Sequence, residues 1–125
     1  MPWEVNFSRK TMEIVTKAKK ISKLELIEMS GKMYGGLVKG VVDIEKEIMA
    51  VDAELHADLE ALLLEKESKQ DVLWGINLYP EESDENFLEF DSMINIRPRQ
   101  GNKSRGVEDI EIQKRIQDIV FKLVV

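Results

Sequence analysis

Apolar and polar positions change their period several times along this chain, and each change predicts an element. Met12-Glu13-Ile14-Val15 begins like a first strand. Ser22-Lys23-Leu24-Glu25 matches a capping box, in which a hydroxyl and a Glu three residues later satisfy orphan amides of a first turn. The helix it opens carries Leu24, Leu26 and Ile27 toward a core and ends near Gly35-Gly36. Leu37 to Ile44 is apolar through Val38, Val41 and Val42 and reads as a buried strand, with Ile48 to Val51 its hairpin partner across Glu45-Lys46-Glu47. Val72, Trp74, Ile76 and Leu78 then alternate with Gly75, Asn77 and Tyr79, and the acidic turn Pro80 to Asn86 follows. Leu88, Phe90, Ile94 and Ile96 share a parity opposite Glu89, Asp91, Asn95 and Arg97. This pattern predicts an antiparallel hairpin with one face on a core and Asn77, Tyr79, Glu89, Asp91, Asn95 and Arg97 on the other. The chain closes with a helix capped by Asp109 that buries Ile112, Ile116, Ile119, Val120 and Leu123.

The span 52–66 fits two periods. At period two, Glu54, His56, Asp58 and Glu60 make a polar face and Leu55, Ala57, Leu59 and Ala61 the other. At period 3.6, Leu55, Leu59, Leu62 and Leu63 make a stripe of strong helix formers. The reading taken is an extended start, a turn around His56 to Glu60 and a strand Ala61 to Glu65. The expected fold is α+β: a largely antiparallel sheet of about five strands, with an N-terminal-region helix and a C-terminal helix against one face. Residues 1–11 show no periodicity and read as an extension on which Trp3 and Phe7 could dock, leaving 12–125 as a single domain.

Composition narrows the classes. A chain of 125 residues, 43% hydrophobic and 34% charged, has the balance of one soluble domain with a real core. With no cysteine, disulfides, thiolate metal sites and cysteine nucleophiles are excluded. No segment approaches a signal peptide or a membrane span, so the expected address is the cytoplasm. A net charge of −6 argues against a general nucleic-acid coat. The charge is uneven, however: residues 9–23 are basic, 43–67 acidic, and 95–105 purely basic.

That last block is the leading candidate for chemistry. Residues 95–109 link a strand pattern to a helix pattern, and a link this long in a small domain is usually functional or disordered. Asn95, Arg97, Arg99, Gln100, Asn102, Ser104 and Arg105 supply guanidinium forks, amides and a hydroxyl, with Gly101 and Gly106 exposing backbone amides. Such groups suit a small anionic, phosphate-bearing ligand, a nucleic-acid backbone or a carboxylate-rich partner. In the plainer reading the arginines pair with the protein's own carboxylates. The spacing lacks the Walker and GxGxxG fingerprints, and no cofactor is indicated. The single histidine, His56, lies among carboxylates and, with Asp58 and Asp91, is the weaker candidate for acid–base catalysis. No metal-binding motif is present. Three functions follow: a binding module using the Arg97–Arg105 loop, an enzyme using His56 and carboxylates, or a structural homodimer joined through its arginines. A pocket uniting His56, Asp91 and Arg97 would favour the enzyme, and an open concave loop remote from His56 the binding module.

Five runs carry a likeness: Glu54-Leu55-His56-Ala57-Asp58, Ala61 to Glu65, Leu73 to Pro80, Glu89 to Pro98, and Ser104 to Asp109. Together they resemble a family of small prokaryotic proteins catalogued as a domain of unknown function. The resemblance covers roughly Met12 to Val125 and is most specific from Asp91 to Asp109. Where that family tends to have glycines, near Asp52-Ala53, this chain has none. The resemblance implies a real domain after an extension and brings no activity with it.

Overall fold

Two apolar strands, β2 (Val38–Asp43) and β4 (Leu73–Leu78), lie side by side in the sheet because they can be covered on both faces. The computed structural model describes residues 11–32 and 34–125; the expected extension with Trp3 and Phe7 lies outside them apart from Thr11. Strand β1 (Glu13–Val15) pairs with β3 (Ile48–Val51), and the short β5 (Leu88–Glu89) pairs with β4. The order is β1-β3-β2-β4-β5, with every strand pairing antiparallel. The helices packed on this sheet among the described residues are α1 (Lys23–Ser30), α2 (His56–Glu65) and α3 (Ile110–Leu123).

The helices take both faces, not one. Met49, Val51, Trp74, Ile76 and Leu78 meet Leu26 of α1 and the Ile116, Ile119, Val120 and Leu123 stripe of α3. On the opposite face Val41, Ala50 and Leu73 meet Leu59 and Leu63 of α2, with Ile94 packed beside them. All six residues of β4 are consequently buried, so the expected solvent-facing side of this strand does not exist.

The extra cover comes from the ambiguous span, which is helical where a turn and a strand were expected. Leu55 is 57% exposed, whereas the two-residue alternation would have put it inside. Both neighbours of β2 are already occupied, and Leu59 and Leu63, one turn apart, bury completely against the sheet. Each contributes about 1.5–3 kcal/mol by leaving water. Leu63→Ala should therefore cost about 2–5 kcal/mol in urea unfolding and Leu64→Ala less than about 1. Equal costs would argue against this helix register, because Leu64 is 41% exposed.

Local signals were otherwise followed closely. Ser22 and Glu25 make the reciprocal cap, with Ser22 Oγ accepting from Glu25 N at 3.0 Å. Leu24, expected in the core, is exposed, and α1 stops at Ser30 with Gly31 as its cap. Gly35 and Gly36 follow with φ of 79° and 65°, a conformation that glycine adopts without steric cost. Asp52, near the positions that tend to be glycine in the resembling family, also has a positive φ of 75°. Burial raises its carboxyl above the usual carboxylate range, so the folded state holds that proton more tightly than the unfolded chain. Its ionisation works against folding as pH rises beyond the unfolded value. Asp52→Gly should thus stabilise the fold at neutral pH by about 1 kcal/mol, and by less below about pH 3, where the acid is largely protonated in both states. A destabilised variant at neutral pH would show that the carboxylate has a partner worth more than the strain.

The predicted second hairpin strand also departs from expectation. After Glu89 the chain leaves the sheet at Ser92, whose Oγ accepts from Ile94 N at 3.3 Å and opens a 3₁₀ turn over Met93–Asn95. Such side-chain bonds to nearby backbone compete with strand pairing. Phe90 therefore packs with the α1–α3 core, Ile94 with the α2 core, and Ile96 is 38% exposed. Among the described residues no helix is long and apolar enough to cross a membrane.

Candidate functional site

The candidate loop is rigid, and two buried asparagines make it so. Asn95 is wholly buried and sits where the next strand residue would pair with Gly75. Its Oδ1 accepts from Gly75 N at 2.8 Å, and its Nδ2 donates to Gly75 O at 3.0 Å and Arg105 O at 2.9 Å. One carboxamide thus does the pairing of a peptide unit at the edge of β4. Asn102 donates to Asn95 O at 2.7 Å and Gly106 O at 2.8 Å, and its Oδ1 accepts from Glu108 N at 2.8 Å. Between them Arg97 and Asn102 exchange backbone bonds around the turn Pro98–Gln100, which Gly101 closes at φ 80°.

This framework sends the loop's cations in different directions. Arg97 lies over the Trp74 ring, 4.2 Å from its centroid, and its Nη1 donates to Gln70 O. Burial lowers the pKa of that guanidinium, with Glu60 and Asp71 acting in the opposite sense. Gln100 Nε2 donates to Asp71 O at 2.9 Å, while Arg99 is exposed at the turn. Ser104 uses its backbone N–H on the Glu108 carboxylate at 2.9 Å. Arg105 turns the other way, and its Nε donates to Asp91 Oδ1 at 2.6 Å. Both partners are substantially exposed, so this pair contributes about 0–1 kcal/mol to stability.

Arg105 and Asp91 belong to a cavity of about 250 Å³ that also contains His56. Lys39 and Asn77, direct cross-strand partners on β2 and β4, form part of its wall. Leu37, Leu55, Ala57, Met93 and Ile94 supply an apolar lining. Arg97 and Asp58 are not among its lining residues, and Asn95 and Asn102 serve the framework behind it. Residues distant in sequence thus meet where the first turn of α2 faces the end of the basic loop. Leu55, at the N-cap of α2, provides no side-chain cap. Unfilled amides and the helix dipole at such a terminus favour negative charge.

The histidine is held as a neutral base. Its Nε2 lies 2.8 Å from Ile76 O, and because a carbonyl only accepts, the ring proton sits on Nε2. Nδ1 then carries the lone pair. Burial lowers the pKa below the ordinary value of about 6.5, Lys39 acts in the same sense, and the Ile76 carbonyl, Asp91 and Asn77 oppose them. The unfolded chain binds this proton more tightly. His56 therefore contributes stability above about pH 6.5 that is lost as pH falls toward its lower folded value. Urea unfolding between about pH 5 and 7 should show this acid-side loss, and His56→Gln should flatten it. A His56 resonance titrating above the ordinary value would contradict the assignment.

Asn77 is the most informative residue of the cavity wall. It is 6% exposed, and its Nδ2 donates to Glu89 Oε1 at 2.9 Å and Asp91 O at 3.3 Å. These acceptors fix the amide orientation, leaving Oδ1 buried without a hydrogen-bond partner. Such an atom costs about 1–3 kcal/mol when a donor is lacking. Lys39 and Asn77 were not singled out as site residues from the sequence. The available signal was one polar residue inside each of two apolar strand runs, but only the register reveals that they are opposite one another. Among the described residues no three His, Asp or Glu side chains form a group able to hold a metal ion.

The fold and this cavity define a small α+β protein with a mixed apolar and charged pocket beside α2. The chain belongs to a family described as protein of unknown function (DUF5674), which it matches over residues 13–123. No curated protein and no solved structure matches it.

Proposed function

We propose that the protein is a binding module for a small anionic ligand, taken up between the first turn of α2 and the Asp91–Arg105 pair. The observation carrying this reading is the convergence of Lys39, Arg105 and the uncapped helix start on one cavity. Its volume, about 250 Å³, is below the range of about 300–1,000 Å³ typical of drug-sized ligands, which favours a small molecule over a nucleic acid. The reading moves the weight of the basic loop from Arg97 and Arg99 to Arg105. Arg97 and Gln100 tie the loop to the start of β4 instead.

Thermal denaturation with isocaproate and inorganic phosphate, at low and high salt, tests the proposal. One of these anions should raise the melting temperature, and salt should weaken the effect. Lys39→Gln and Arg105→Gln should each weaken binding about tenfold, the worth of about 1.4 kcal/mol of charge-assisted contact, while Arg99→Gln should not. No shift with either anion, or sensitivity only to Arg99, would overturn the reading.

An acid–base enzyme is the second reading, favoured by a neutral His56 in the same cavity as two cations. In that case His56→Gln should remove turnover while leaving anion affinity largely intact.

A further inference from the structure

We infer, building on the anion site proposed above, that the ligand is a free α-amino acid with an aliphatic side chain. The cavity wall divides into three chemistries. Arg105, Lys39 and the first-turn amides of α2 suit a carboxylate. A second group of atoms has the opposite need. Asn77 Oδ1 is buried without a donor. Asp91 has its Oδ1 engaged by Arg105, while its Oδ2 makes no hydrogen bond among the described residues. His56, with its proton on Nε2, offers a lone pair at Nδ1. Three acceptors on residues of one cavity wall suit an ammonium group, which has three N–H donors and no acceptor.

A simple anion would leave the Asn77 oxygen unpaired, so the cations alone do not account for this wall. A ligand carrying both charges on neighbouring atoms answers both sets. Leu37, Leu55, Met93 and Ile94 form most of the remaining surface, which suits a branched hydrocarbon chain. Asn77 also holds Glu89 and the Asp91 backbone, so its substitution would disturb the wall as well as the ligand contact. Changing the ligand is the cleaner test.

Calorimetric titration of the full chain with leucine, isocaproate, leucinamide and glycine separates the contributions. Isocaproate lacks the amine, leucinamide lacks the carboxylate, and glycine lacks the side chain. Leucine should bind at least tenfold more tightly than each of the others. Arg105→Gln should cost leucine at least tenfold in affinity, with the far-ultraviolet circular dichroism spectrum unchanged. Isocaproate binding as tightly as leucine would overturn the amino-acid inference and leave the anion site standing. Leucinamide matching leucine would overturn both, since the carboxylate would then contribute nothing, and would indicate a peptide N-terminus. No leucine binding would overturn the inference, and the isocaproate and phosphate titrations would then decide whether an anion site remains.

Discussion

Asn95→Ala should lower the unfolding free energy by about 3–5 kcal/mol, among the largest effects of any polar substitution in the protein. The side chain is wholly buried and satisfies Gly75 N, Gly75 O and Arg105 O. Removing it leaves Gly75 N and Gly75 O without partners at the edge of a covered strand, takes one of two donors from Arg105 O, and opens a cavity beside them. Asn95→Asp separates hydrogen bonding from volume: it keeps the size but turns an oxygen toward two carbonyls, and should be at least as damaging. Chemical denaturation of both variants checks this. A cost below about 1 kcal/mol for either would mean that water or a shifted backbone replaces the amide, and the loop would then not be fixed as described.

Gly75→Ala should be nearly as severe, at about 3 kcal/mol or more, for a steric reason. A Cβ at position 75 would stand 2.5 Å from Ser92 Cβ and 2.6 Å from Ser92 Oγ. Ser92 is itself buried, and its backbone N–H donates to Arg105 O at 2.9 Å, so it has little room to yield. The substitution would press the Ser92–Asn95 turn away from β4 and carry Arg105 with it. It should therefore reduce both stability and ligand affinity, whereas Leu63→Ala should reduce stability alone. A Gly75→Ala protein with parental stability would show that the turn is mobile.

What could be read from the sequence was mostly what is decided locally. The Ser22–Glu25 cap, the Asp109 cap and the α3 stripe each need only a few neighbouring residues, and the structure has them all. The span 56–65 supports two readings because its polar alternation and its leucine stripe coexist. The choice between them depended on where the sheet had free edges, and that is a property of the whole topology. The second hairpin strand ends early because Asn95, which matches the polar parity, and Ser92, which interrupts the apolar one, both use their side chains to leave the sheet.

The candidate site was only half visible for the same reason. The basic run at 97–105 was plain, but nothing in its order distinguishes Arg97, stacked on Trp74, from Arg105, beside His56. The meeting of Lys39 with Asn77 depends on strand register. Their approach to His56 depends on α2 crossing that face of the sheet.

The most direct measurement is amide chemical-shift mapping of isotopically labelled protein during isocaproate and inorganic phosphate titrations, at least one of which should saturate. The account predicts saturable shifts centred on His56, Ala57, Asn77 and Arg105, with little change at Arg99 and Gly101. Shifts confined to the Arg97–Gly101 turn, or no saturable shifts at all, would contradict it.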